Sequence, residues 1–463
     1  MFNLVKGTHD VILDEAQQYS YIETLLARVA EMYGYSEFRT PVLEYTDLFV
    51  RSVGNSSDIV RKEMYTFLDH GDRSITLRPE FTAGIVRSMV NNKLFANQDF
   101  PVKGYYCGPN FRYERPQQGR YRQFNQFGVE CVGVSSPERD AEIISMGFNS
   151  LLMLGFKNVK LSINTLGDEE TRKNYQEALR NYFGEKIDCM CEDCKERYKL
   201  NVLRILDCKV ESDKEIVKNA PKITDFLSEK AKKDFDAILK ILDALEIPYE
   251  VDSELVRGLD YYTGVVFEFH YTSKLGKNYG AIGAGGHYGH LVKEIGGPDI
   301  EGCGYAMGIE RLASVMSDDE IQLPIEKGLD VYIMPVALTD YSEILQVAEY
   351  LRLNGFKVEV CLEGKGMGQM FKKAERRDAK LALIIGETEL KDGVFNVKDI
   401  KTQEQITIEK EYLLDFLDKA INQKGHHHHD HDCCCGGECC DDDCDCEHDH
   451  HEHDCCCEHH HEE

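Results

Sequence analysis

The stretch Phe111 to Glu130, FRYERPQQGRYRQFNQFGVE, gathers side chains that can do chemistry on a polar ligand. Read at a period of two, it predicts two strands joined by a loop in which Pro116 and Gly119 suit a turn. Phe111, Tyr113, Phe127, Val129 and Cys131 then pack inward, while Arg112, Glu114, Phe124, Gln126 and Glu130 share the opposite face. A cation, two carboxylates, an amide and an aromatic ring cannot be buried there without partners. Each unpaired polar group would cost roughly 1–3 kcal/mol, and a charge more. The face is either the wet side of an antiparallel sheet or a cradle for a polar ligand.

Further candidates follow along the chain. A helix is expected to begin near Pro79, so that the Glu80 carboxylate complements the positive end of its dipole. Arg257 precedes Gly258, whose missing side chain lets the backbone turn and a ligand approach, and Tyr261 and Tyr262 are expected on alternate sides. AIGAGG, Ala281 to Gly286, lacks the Lys and the spacing of a phosphate loop and fits a strand that ends close to a small ligand. Arg311 falls in the first turn of the expected helix IERLASVM, where a cation opposes the dipole unless an anion binds. Cys189, Cys191, Cys194 and Cys208 are either a structural zinc site or free reduced cysteines. Two basic groups, Arg115 with Arg120 and Arg122, and Lys372 with Lys373, Arg376 and Arg377, are either solvated faces or phosphate contacts.

Several elements must position these residues. Apolar spacing predicts a helix over Tyr19–Tyr33 that Gly34 ends, and SEFRTPVLEYTDLF reads as strand, Pro41, strand. A hairpin turning at His70-Gly71-Asp72, a helix over Glu138–Leu154 and strands at Val159–Asn164, Pro248–Asp252 and VVFEFHY complete a strand-dominated core over residues 1–325. The charge-rich helical pattern of about 168–240 reads as an inserted subdomain. Beyond a linker at Pro324–Gly328, strands and helices alternate over 329–424, predicting a smaller α/β domain with a mostly parallel, mixed sheet. The expected fold class is α+β.

Four blocks carry a family resemblance. The hairpin resembles motif 2 of class II aminoacyl-tRNA synthetases in its histidyl-tRNA synthetase version, and LVRGLDYYTG and AIGAGGHYGHLV are similar to that family's histidine signatures. GYAMGIERL resembles class II motif 3, SEFRTPVLEYTDLF motif 1, and the C-terminal region the anticodon-binding domain of the family. The resemblance, over about residues 1–424, implies a histidine–tRNA ligase that forms histidyl-adenylate from histidine and ATP and transfers histidine to the 3′ end of histidine tRNA. It implies Arg257 and Arg112 as catalytic residues flanking the α-phosphate, and Arg120 and Arg311 at the β/γ end. Phe124 and Glu114 would hold adenine, Glu80 and Thr82 the α-amino group, and Glu130 and Tyr262, with Gln126, Tyr261 and Tyr288 nearby, the imidazole. Mg²⁺ would accompany ATP, motif 1 would form a homodimer, and the helical insert would lie over the tRNA acceptor arm. Where the usual pattern reads Arg-Tyr-Asp, the chain keeps Tyr288 but departs at His287, Gly289 and His290, which leaves open how that loop is held. A catalytically silent histidine-sensing regulator on the same fold is the alternative, expected to lack both the C-terminal domain and ATP-pocket residues.

Composition narrows the setting. No basic leader precedes an apolar run, and no stretch of about 18 apolar residues occurs, so neither a signal peptide nor a membrane span is expected and the default location is cytoplasmic. The net charge of −28 is concentrated at one end: residues 426–463 hold 14 acidic residues, 12 His and 10 Cys, with no Lys or Arg. The opening His426, His427, His428 and His429 alone would suit a purification tag, but the Cys and acidic residues after them would not. With nothing apolar to bury, this tail is expected to be disordered without a ligand. Its thiolates and imidazoles, namely those four His with Cys433, Cys434, Cys435, Cys439, Cys440, Cys444, Cys446, Cys455, Cys456 and Cys457, are expected to bind zinc, nickel or copper.

Overall fold

The computed structural model describes residues 2–421 except 55–56, 97–99, 118, 209 and 339. The tail at 426–463 lies outside the described residues. The chain forms two compact units, Met1–Ile325 and one beginning at Glu326.

The first unit is built on an eight-stranded sheet. Its spatial order is Ser36–Glu37, Val102–Phe111, Gln123–Val132, Gly302–Gly308, Asn278–Tyr288, Tyr262–Thr272, Lys160–Thr165 and Tyr249–Val251. The inner pairings are antiparallel, and the two short edge strands pair in parallel. One face carries Phe127, Val129, Cys131, Phe267 and Phe269, packed against helices Leu13–Met32, Pro137–Met153 and Ile309–Asp318. On the other face Tyr106, Val266 and Tyr288 share a core with helix Thr82–Asn91 and with Tyr175, Leu179, Phe183 and Cys194 of the helical stretch. Residues 168–240 hold helices Glu169–Gly184, Glu192–Leu200 and Glu211–Lys218 and the start of Glu229–Ala244.

Four local expectations are corrected. Tyr113 is exposed because the strand ends at Phe111; its ring instead lies under the Arg122 guanidinium, 3.7 Å from the ring centre. The helix expected near Pro79 begins at Thr82, since Glu80 caps it with both carboxylate oxygens, accepting from the amides of Thr82 and Ala83 at 2.7 and 2.9 Å. Tyr261 and Tyr262 do not take alternate sides: Tyr261 precedes the strand, so strand alternation does not apply to the pair, and their rings stand 4.7 Å apart. AIGAGG does not end a strand but runs through the middle of Asn278–Tyr288.

The second unit holds a five-stranded sheet in the order Val358–Val360, Val331–Val336, Leu381–Gly386, Val394–Asp399 and Gln405–Glu409. It is mixed, with two parallel and two antiparallel pairings. Among the described residues no helix is long and apolar enough to cross a membrane.

Candidate active site

On the polar side of the large sheet lies a cavity of ≈ 360 Å³. Of the residues singled out from sequence, Glu80, Thr82, Arg112, Glu114, Arg120, Phe124, Gln126, Arg257, Tyr261, Tyr262 and Arg311 line it. Glu130 and Tyr288 do not line it but are buried against it.

The floor is a hydroxyl and carboxyl network. One oxygen of Glu130 accepts from the Thr82 hydroxyl at 2.6 Å and from Tyr106 at 3.1 Å, and the other accepts from Tyr288 at 3.0 Å. The sheet makes room for it: Gly304 pairs with Glu130 across the strands, and a Cβ there would come within 2.2 Å of the carboxylate. Burial, with a smaller contribution from the neighbouring Glu80, pushes the Glu130 carboxyl up to about 8 in spite of three hydroxyl donors. Glu80 is likewise raised by burial.

The walls carry the cations. Arg112 donates to the Pro79 carbonyl at 2.8 Å and lies over Phe124, 5.3 Å from the ring centre. Glu114 sits between Arg120 at 3.1 Å and Arg112 at 3.8 Å. Arg311 reaches the Ala281 carbonyl, and burial followed by the nearby Arg120 holds its guanidinium below the usual range. Like charges held this close lower one another's affinity for protons and raise the affinity of the end they share for an anion. Arg257 pairs with Glu268 at 2.5 Å, while its buried Nε has no hydrogen-bond partner among the described residues.

Among the lining residues not singled out from sequence, Glu268, Glu310 and Tyr106 carry polar groups that bear on the chemistry. Glu268 interrupts the apolar VVFEFHY, and that interruption was a usable signal. Glu310, immediately before Arg311, accepts from the Asn125 amide at 2.7 Å, yet its buried Oε2 has no partner among the described residues; burial raises it to about 7. Tyr106 belongs to a strand with no polar pattern to mark it.

His287, Gly289 and His290, the positions of the departure, lie elsewhere. His287 is buried between Asp140 and Glu301, with a ring nitrogen 3.1 Å from each carboxylate, beside a separate cavity of ≈ 410 Å³ that His290 also lines. Of the basic helix Met367–Arg376 and its end, Lys373 and Arg377 pair with Glu359, and Lys373 also pairs with Glu363.

Comparison with known proteins adds to this geometry. A family model described as histidyl-tRNA synthetase matches residues 7–312, and one described as anticodon binding domain matches residues 330–420. The chain is 46% identical over 424 residues to the histidine–tRNA ligase of Thermosipho melanesiensis, covering 92% of this chain and all of that one. It is 44% identical over 429 residues to that of Bacillus subtilis, again 92% of this chain and all of the relative. The solved structure of apo S. aureus histidyl-tRNA synthetase matches with a TM-score of 0.78 at 38% identity, over 90% of this chain and all of that one.

Proposed function

Since the chain belongs to the histidyl-tRNA synthetase family, we propose that its cavity joins histidine to ATP as histidyl-adenylate, releasing pyrophosphate, and passes the histidyl group to the 3′ end of histidine tRNA. As a histidine–tRNA ligase it converts ATP to AMP and pyrophosphate, and relatives at 44–46% identity do not favour the silent sensor. The observation that supports this reading most strongly is the convergence of four arginines on one cavity whose floor is uncharged or acidic.

In-line attack of the histidine carboxylate on the α-phosphate builds charge on its oxygens and on the leaving pyrophosphate. Arg112 and Arg257 take the α-phosphate, the latter with its free Nε, and Arg120 and Arg311 take the β/γ end. Phe124 stacks on adenine, and Glu114 accepts from its amino group once ATP draws the arginines away. ATP enters with its Mg²⁺ counter-ion, and the unpartnered Oε2 of Glu310 is the carboxylate oxygen that fits the ion. Glu80 and Thr82 hold the α-amino group, with Gln126 and Tyr261 beside them. Tyr262 reads one imidazole nitrogen. Glu130, anchored by Tyr288, reads the other by exchanging a hydroxyl donor for the ring N–H.

The remaining assignments are of the same kind. Residues 1–325 form the catalytic domain with 168–240 as its helical insert, and 329–424 bind the anticodon arm of a tRNA in the cytoplasm. Leu43, Tyr45, Phe67 and Leu68, exposed on the small sheet of Leu43–Tyr45, Tyr65–Leu68 and Ser74–Leu77, suit a homodimer contact. Residues 426–463 bind several Zn²⁺ or Ni²⁺ ions and are dispensable for charging. Histidine-dependent exchange of pyrophosphate into ATP tests the central reading. Exchange with histidine and with no other standard amino acid is expected, and absence of exchange beside a working control synthetase would overturn it.

A further inference from the structure

We propose that Cys191, Cys194, Cys208 and Asp213 form a structural zinc site that fastens the helical stretch to the loop following Arg257. Of the four cysteines singled out by spacing, the fold brings three together and leaves Cys189 exposed outside the group. The fourth place goes to Asp213, nearby in sequence but of a different residue type. One ligand atom from each of the four residues lies within 4.8 Å of every other.

The geometry suits a tetrahedral ion. The Cys191 and Cys208 sulfurs are 3.9 Å apart, well beyond a disulfide bond and close to the edge of about 3.8 Å that thiolates span around zinc at about 2.3 Å. Cys194 and Asp213 are fully buried. The Asp213 carboxylate is oriented by the Cys191 amide and the Ser212 hydroxyl, both at 3.0 Å, and faces the Cys208 thiol at 3.4 Å. Hydrogen bonds of this kind orient a metal-bound carboxylate. Three thiolates and a carboxylate close the coordination sphere, so the ion is structural and leaves no open position for a substrate.

Between Cys194 and Cys208 runs the turn Val202–Asp207. Its Arg204 donates to the Gly258 carbonyl at 2.6 Å and to Asp260 at 3.1 Å, and Asn201 donates to Asp260 at 3.0 Å. On the other side Arg197 holds Asp58 at 3.2 Å, next to the cavity-lining Ile59. The ion thus braces the backbone on which Arg257 stands.

The test uses the full chain under reductant, with zinc supplied or removed by a chelator. Labelling with N-ethylmaleimide is read cysteine by cysteine through peptide mass spectrometry, so the ten tail cysteines do not interfere. Zinc should slow labelling of Cys191 and Cys208 about tenfold, because a bound thiolate is a poorer nucleophile, and should leave Cys189 unchanged. Asp213→Asn should lose most of the protection and Cys189→Ala none. Equal labelling of Cys191 and Cys208 with and without zinc in the unsubstituted chain would overturn the site, whether or not Asp213→Asn folds. So would recovery of Cys191 and Cys208 as a disulfide.

Discussion

Two adjacent residues of the strand Asn278–Tyr288 serve two regions that shift carboxyl groups in opposite directions. On the cavity side Tyr288 donates to Glu130, which burial, helped by the neighbouring Glu80, lifts to about 8 in spite of its hydroxyl donors. On the other side the hydrogen bond from His287 holds Glu301 down at about 2, against its partial burial. Burial also works against charge on His287, but Asp140 and Glu301 outweigh it and push the ring up to about 10. Glu130 is fully buried with a second carboxyl, Glu80, near it, whereas Glu301 is partly exposed and faces a cation, and both differences drive the two groups apart. A carboxyl raised by burial can answer a ligand that brings its own donor, whereas one already paired with the His287 ring is committed to holding the fold.

The largest expected effect tests the uncharged floor. Because Glu130 is raised in the folded chain, its contribution to stability is complete below pH 4.5, its ordinary value, and is lost as pH rises to about 8. The total is on the order of 5 kcal/mol. Urea unfolding across that range should show the slope in the unsubstituted chain and a flatter one in Glu130→Gln. Parallel curves would mean that Glu130 is ionised throughout and the contrast is wrong.

The charged triad comes next. His287→Gln leaves Asp140 and Glu301 without their cation and should cost about 3–5 kcal/mol at neutral pH, while His287→Arg should recover most of it. Urea midpoints decide the matter, and equal losses in the two variants would show that packing, not charge, sets this region. Within the cavity, Arg257→Ala should lower the adenylation rate by roughly 10²–10³, on the order of 3–4 kcal/mol, with little change in histidine binding. Single-turnover kinetics would expose a purely ground-state role if the rate held and the Michaelis constant rose. The smallest effect belongs to the second unit, where Lys373→Ala should cost no more than about 1 kcal/mol because its partners Glu359 and Glu363 remain partly solvated. A thermal midpoint displaced as far as in His287→Gln would erase the distinction between buried and surface ion networks.

Much of the frame was legible along the chain. Phe127, Val129 and Cys131 are fully buried on one face, as a period of two required, and the helix over Glu138–Leu154 and the alternation after Leu329 were readable for the same reason. Tyr113 and the start of helix Thr82–Asn91 were not, because each depends on a competing contact: the Arg122 guanidinium for the one and the Glu80 cap for the other. Glu268 stood out as a charge in an apolar strand, but nothing local tied it to Arg257.

By itself the sequence determined the residue types available to the site and the alternation of the strands that carry them, since period and propensity are properties of neighbours along the chain. Only the tertiary structure decided that Thr82 and Tyr288, 48 and 158 positions away, would both meet Glu130, and that Asp213 rather than Cys189 would join the three thiols. Those meetings depend on strand order and on which glycine leaves space opposite which carboxyl. Burial, which raises the Glu130 carboxyl, exists only once the layers have closed.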